Sequence, residues 1–127
     1  MAEGLSAYTA NAFLNALGNN TSFAVAQAYM QLHTAAPGSA GTANVATETT
    51  RKAVSFGTPS AGSMTNDAAV TWTNITGSQD ASHASFWDLS SGGNFLFSGV
   101  ITAASYTAGD TYQVDIGGVT VSFTLAS

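Results

Sequence analysis

The feature that most constrains this 127-residue chain is an apolar hairpin near its middle. Segment 82–100 reads SHASFWDLSSGGNFLFSGV, and its Ser-Ser-Gly-Gly-Asn core is typical of a tight turn that needs positive φ angles. One predicted strand face carries Ala84, Phe86, Phe95 and Phe97. The other face carries Trp87 and Leu96, so neither face suits water. The hairpin is therefore predicted to lie inside a β-sandwich, or to pack one face on the core and the other on a partner.

The surface of this chain is poor in charge. Charged residues make up 7% of the sequence, against about 25% in ordinary soluble domains. Alanine, serine, threonine, glycine and asparagine take their place, and such a surface lacks the charges that keep proteins apart in solution. This composition favours a chain that lives among neighbouring subunits, with a small secreted domain as the alternative.

Charge and composition exclude several function classes. Arg51 and Lys52 are the only basic residues apart from histidine, and the net charge is −5, so we expect no nucleic-acid partner. No run approaches the ~18 apolar residues of a membrane span, and the amphipathic start is unlike a secretion signal. The chain has no cysteine, which excludes disulfides and thiolate zinc sites and is compatible with synthesis in a reducing cytosol.

The hydrophobic periodicity predicts one helix followed by strands. A helix is expected over 5–17, where apolar residues recur at helical spacing: Leu5, Tyr8, Ala12, Phe13, Ala16 and Leu17. Strands are expected over 26–33, 52–56 and 68–72, and segment 57–66 is expected to be a turn-rich link. Strict alternation on both sides of Gly117-Gly118 predicts a final hairpin over 112–125.

These elements predict a mainly β fold, an antiparallel β-sandwich of about seven strands with one N-terminal helix, in a single domain over residues 1–127. Between the first two strands lies a polar loop over 34–50. Because this loop exceeds the usual connection length, we expect it to be functional or flexible.

No arrangement of residues predicts catalysis, a cofactor or a metal. His33 and His83 are interpreted as surface or hydrogen-bonded structural residues, because the scattered carboxylates supply no ligand set. Ser82 and His83 with Asp88 suggest a hydrolase triad, but the chain lacks a G-x-S-x-G elbow. We therefore expect no enzyme activity and leave a small hydrolase as an alternative.

Several runs resemble small virion proteins of tailed bacteriophages. The matching runs are LHTAAPG at 32–38, GTAN at 41–44, VSFGTPS at 54–60, FWD at 86–88 and GGNFLFSG at 92–99. They resemble the family's L-H-T-A-D-P-G, G-T-A-N-E, V-T-F-G-A-P-S, F-W-D and G-G-N-L-L-F-S-G, in the same order over about 32–115. Ala36 and Val45 depart from the family's usual Asp and Glu.

The resemblance implies a structural protein, since the family carries no catalytic residues to transfer. We expect a capsid decoration protein on the outside of the head, bound to the major capsid protein and to copies of itself as a trimer. The alternative is a small tail-fibre or tail-tip subunit that contacts tail proteins or the host surface. We predict partner contacts at residues of the helix, the long loop and its end: Leu14, Thr34, Pro37, Asn44, Val45, Arg51 and Lys52.

Overall fold

A computed structural model describes residues 4–127, and this part of the chain is mainly β with one helix. Its elements are β1 (Gly4–Leu5), α1 (Ala7–Gly18), β2 (Ala28–His33), β3 (Lys52–Val54), β4 (Ser63–Thr65), β5 (Val70–Trp72), β6 (Gln79–Trp87), β7 (Phe95–Tyr106), β8 (Tyr112–Val114) and β9 (Thr120–Ser122). All strand pairs are antiparallel. The predicted fold class is confirmed, with nine strands in the described residues where about seven were expected.

The strands form one large sheet and two small ones around a common core. The large sheet has the order β1-β7-β6-β2-β3, and the two-stranded sheets are β4-β9 and β5-β8. From the large sheet the core receives Met30, Leu32, Val54, Ala84, Phe86 and Ile101; from the β5-β8 sheet it receives Val70, Trp72, Tyr112 and Val114. The β5-β8 sheet therefore covers the core from the side opposite the large sheet, as the second layer of a sandwich does.

The central hairpin is longer than predicted and contains two bulges. Strand β7 has 12 residues and β6 has 9, and register shifts between Ala81 and His83 and between Phe86 and Trp87 absorb the difference. At the second shift Phe86 pairs with Phe97 and Trp87 pairs with Phe95, which leaves Leu96 as the additional residue. The expectation that Trp87 and Leu96 share a face is wrong, because the bulge breaks the alternation.

Helix α1 begins two residues later than predicted. Ser6 is its N-cap, with Oγ accepting a hydrogen bond from the Thr9 backbone N–H at 3.0 Å. The Ser6 backbone N–H donates to the Leu96 carbonyl at 2.9 Å. Leu5 is consequently held in β1, paired with Phe97, and does not belong to the helix.

The predicted final hairpin does not form. Strand β8 pairs with β5, and β9 pairs with β4, so the two arms around Gly117-Gly118 belong to different sheets. They separate around the fully buried amide of Asn66, which donates to the Asp115 carbonyl at 2.9 Å and accepts from the Val119 N–H at 2.8 Å. Segment 57–66, expected to be a link, contains β4 because this strand is the partner of β9.

The long loop over 34–50 folds back on β2. The Thr34 N–H donates to the Asn44 carbonyl at 2.9 Å, and the Ala46 N–H donates to the Leu32 carbonyl at 3.1 Å. At its tip Gly41 is buried with φ +74°, and a Cβ there would lie 2.6 Å from the ring of Phe95. The loop therefore packs on the end of the central hairpin.

We expect Asn66→Asp to lower the free energy of unfolding by about 3 kcal/mol. The substitution replaces the Nδ2 donor with an oxygen that faces the carbonyls of Ala68 and Asp115. Urea unfolding measures the change, and Asn11→Asp on the exposed helix surface is the matched control. Equal stability of the two variants would contradict the role given to Asn66.

We expect Gly41→Ala to cost about 2–4 kcal/mol, because it adds both backbone strain and a clash with Phe95. Gly109→Ala is the control, since Gly109 has φ +89° with nothing near the position of its Cβ. The control should cost about 1 kcal/mol. Equal losses in denaturant unfolding would show that the loop does not pack tightly on Phe95.

Candidate interaction surface

His33 lies buried on β2 and is hydrogen-bonded through both of its ring nitrogens. Its side chain is fully buried and lies 2.8 Å from the Ala43 carbonyl through Nδ1 and 2.7 Å from Ser85 Oγ through Nε2. A carbonyl only accepts, so Nδ1 carries the proton and Nε2 accepts from the Ser85 hydroxyl. Ser85 Oγ in turn accepts from Trp87 Nε1 at 2.8 Å. This network fixes the long loop to the sheet.

Burial lowers the pKa of His33 from its ordinary value of 6.5, and the nearby His83 acts in the same direction. The backbone hydrogen bonds at Ala43 and Asn44 oppose this effect without reversing it. The neutral imidazole is therefore the form that the folded protein favours.

The arrangement of Ser82 and His83 is opposite to that of a nucleophile and its base. The Ser82 hydroxyl donates to the Thr34 carbonyl at 2.9 Å, so its single proton is committed there. His83 Nδ1, 2.8 Å from Ser82 Oγ, then donates to that oxygen and does not accept from it. The carboxylate of Asp88 accepts two hydrogen bonds from Asn94, through N–H at 2.7 Å and Nδ2 at 2.9 Å. Each group therefore has a structural use.

The carboxylates also lie apart. Within residues 4–127 no three His, Cys, Asp or Glu side chains lie close enough together to hold a metal ion. The buried Glu48 accepts backbone hydrogen bonds from Thr76 at 2.9 Å and Thr50 at 3.2 Å. Burial raises the pKa of Glu48, but these hydrogen bonds and the nearby Lys52 outweigh it and the pKa is lowered. Glu48 is therefore a charged anchor for two loops.

The predicted contact residues of the long loop differ in exposure. Asn44 is exposed, with φ +56°, and its side chain donates to the Ala36 carbonyl at 2.9 Å. Val45 is 36% exposed and Thr34 is half-buried. Pro37 is fully buried, so its side chain is not part of the loop surface.

Arg51 is used inside the chain. Its guanidinium carbon lies 4.0 Å from the ring centre of Trp87, and Nη1 donates to the carbonyls of Leu89 at 2.9 Å and Gly92 at 2.6 Å. Burial lowers the pKa of Arg51 and Asp88 opposes this, but an arginine remains charged at any physiological pH. Arg51 thus holds the turn of the central hairpin in place.

Lys52 and Leu14 lie on different elements, β3 and α1. Lys52 is half-buried on β3, an outer strand of the large sheet, where a lysine discourages the addition of another strand. Leu14 lies on α1 and is 62% exposed.

Helix α1 presents most of its apolar residues to solvent. Among its residues only Thr9 is buried. Tyr8 is 46% exposed, Phe13 36%, Leu14 62% and Leu17 85%. The apolar stripe predicted the helix, but only part of it faces the sheet, so a large apolar face remains uncovered.

An aromatic cluster links α1 to the segment that follows it and to the segment after β9. Phe23 contacts Tyr8 and Phe13 edge to face, with ring centres 6.1 Å and 5.5 Å apart. Phe13 also contacts Phe123 at 5.7 Å. These edge-to-face pairs connect α1 to the segments after it and after β9.

Beside this cluster lies an apolar groove of about 410 Å³ between α1 and the sheets. Its lining includes Leu5, Phe13, Phe23, Phe56, Met64, Leu96, Phe97, Val121 and Phe123. None of the lining side chains is charged. This apolar groove and the exposed leucines of α1 are the part of the described surface best suited to a protein contact.

Sequence reasoning missed Phe23 and Phe123 as members of this surface. The signal was the distribution of charge: residues 4–47 and 116–127 contain no Asp, Glu, Lys or Arg. These two segments supply the helix, the aromatic cluster and much of the groove.

Among the described helices, none is long and apolar enough to cross a membrane.

We expect the free energy of unfolding to decrease as pH falls below 6.5, by at most about 1.4 kcal/mol per pH unit for this one group. The unfolded chain binds a proton at His33 that the folded chain does not, so stability is complete above this pH and declines below it. Urea unfolding between about pH 8 and about pH 5 measures this dependence. His33→Gln should reduce the slope, whereas His83→Gln should retain the His33 contribution; an unchanged slope in His33→Gln would contradict the assignment.

Comparison with known proteins places these features in a family. A search of curated protein sequences found no match. The profile of the family described as podophage GP4 fiber I protein gp80 matches residues 4–122, nearly the whole chain. This match includes α1, all nine strands and most of the apolar groove. The chain therefore belongs to the podophage GP4 fiber I protein gp80 family and is a structural protein of a bacteriophage particle.

Proposed function

We propose that this chain is a tail-associated fibre subunit of the phage particle and takes part in attachment to the host. The observation that carries this proposal is the family match over residues 4–122, whose description names a fiber protein. That description favours the tail-associated alternative over decoration of the head. The expectation of a capsid decoration protein came from composition and resemblance, neither of which distinguishes head from tail.

The surface of the chain supports an architectural role. Its exposed apolar residues on α1 and after β9 suit a contact with other subunits. Its short strands, uncharged segments and internally bonded histidine suit a rigid building block. We propose tail proteins, other copies of the chain and the host surface as its partners.

We also propose that the chain is not an enzyme. The Ser82 proton is directed to a carbonyl, and both ring nitrogens of His33 are engaged inside the fold. A hydrolytic serine needs a base that accepts its proton. If the chain were a hydrolase, Ser82→Ala would abolish its activity and leave the fold intact.

We expect the chain to fractionate with tails when purified particles are separated into heads and tails. Quantitative gel analysis with a tag-specific antibody measures its distribution and its copies per particle. A fibre role predicts few copies and slower adsorption to host cells when the chain is deleted. Recovery with the heads, at copy numbers that approach those of the major capsid protein, would contradict the proposal and support the hypothesis of a capsid decoration protein.

A further inference from the structure

We propose that the apolar groove binds Leu14 and Leu17 of α1 from a second copy of this chain. The proposal deepens the proposed function and rests on it, because a fibre subunit must contact neighbouring subunits. It names both sides of the contact: the two leucines as the inserted residues, and the groove between α1 and the sheets as the receiving surface.

The leucines are the most exposed large apolar residues of α1. Leu14 is 62% and Leu17 is 85% exposed, and they are three residues apart, so they are neighbours on one helix face. Neither lines the groove of its own copy. The helix contains no charged residue, so this face can be covered without desolvating a charge.

The groove lies beside these leucines on the same helix. Thr9 and Phe13 of α1 form one wall, and Phe56, Met64 and Val121 contribute from the sheets. Its volume of about 410 Å³ falls within the range of pockets that enclose a small ligand, which leaves room for apolar side chains. Because the inserted and the receiving surfaces are adjacent, two copies related by a two-fold axis can each give their leucines and receive those of the other.

Charge favours the uncharged helix of a second copy over an acidic partner. The chain carries a net charge of −5, so two copies repel each other through most faces. The acidic residues of the described chain lie between Glu48 and Asp115, whereas segments 4–47 and 116–127 carry no Asp or Glu. The side chains that line the groove are uncharged, but the lining residue Ser55 donates a hydrogen bond to the exposed Asp67. Because helix α1 carries no charge, a second copy inserted through this helix brings no like charge close to Asp67, whereas an acidic partner would.

The test is a crosslink between differently substituted copies. The natural chain has no cysteine, so Leu17→Cys and Val121→Cys each introduce one thiol. The two variants are purified, mixed and treated with a short bis-maleimide reagent. We expect a covalent heterodimer, which joins the helix of one copy to the groove of another. Leu17→Cys mixed with Ala108→Cys is the control, because Ala108 is exposed in the turn after β7 and lies outside the groove.

A second measurement tests the leucines directly. We expect Leu14→Asn combined with Leu17→Asn to weaken self-association at least tenfold in analytical ultracentrifugation. Circular dichroism should stay unchanged, and so should the thermal midpoint at a dilution where both chains are monomeric, because both side chains are exposed. Ile116→Asn is the matched control, since Ile116 is 68% exposed and lies outside the groove.

Two results would overturn the inference: a monomer at the highest soluble concentration, or self-association that the double leucine variant leaves intact. Either result is independent of the proposed function. A chain found with the tails of the particle but monomeric in isolation would preserve the fibre role and remove this contact. A chain that self-associates through the leucines but fractionates with heads would preserve the contact and remove the fibre role.

Discussion

The pairing of β6 with β7 is the interaction on which the rest of the structure depends. Phe86 and Phe97 stack across this pair with ring centres 4.4 Å apart, and the core of the sandwich forms on that side. At the end of the pair the bulge brings Trp87 opposite Phe95. The ring of Trp87 contacts the guanidinium of Arg51, and its Nε1 donates a hydrogen bond to Ser85 in the His33 network. Phe95 contacts the tip of the long loop. The central hairpin thus positions the tip of the long loop and Arg51 at the end of that loop.

Polar side chains inside the fold hold its sheets and loops together through hydrogen bonds to the backbone. Asn66 joins the two small sheets, and Glu48 joins two loops through backbone N–H groups. Arg51, one of two Lys and Arg residues in the chain, stabilises a turn. Because a buried polar group left without its partner is costly, these contacts specify the loop conformations. Long stretches of the surface carry no charge.

Local pattern predicted the helix, the central hairpin and the mainly β class, since each depends on neighbouring residues. It could not predict which strands pair over long distances. Alternation around Gly117-Gly118 is equally compatible with a hairpin and with two strands in different sheets, and the choice depends on Asn66, about fifty residues earlier. Likewise, periodicity identified the apolar face of α1 but not its exposure, because exposure depends on where the sheets leave room. Of the predicted contact residues, Pro37 is buried for such a tertiary reason.

An apolar face that remains exposed has a thermodynamic cost unless something covers it. In a chain with few charges such a face also promotes association, because little on the surface opposes it. The apolar residues of α1 and of the segment after β9 are concentrated at one place and surround one groove, whereas random exposure would scatter them. Concentration of this kind is what a specific contact requires, since a few neighbouring apolar side chains carry most of the binding energy of an interface. We propose that the uncharged composition and the uncovered helix are two consequences of one requirement, namely close contact with other subunits.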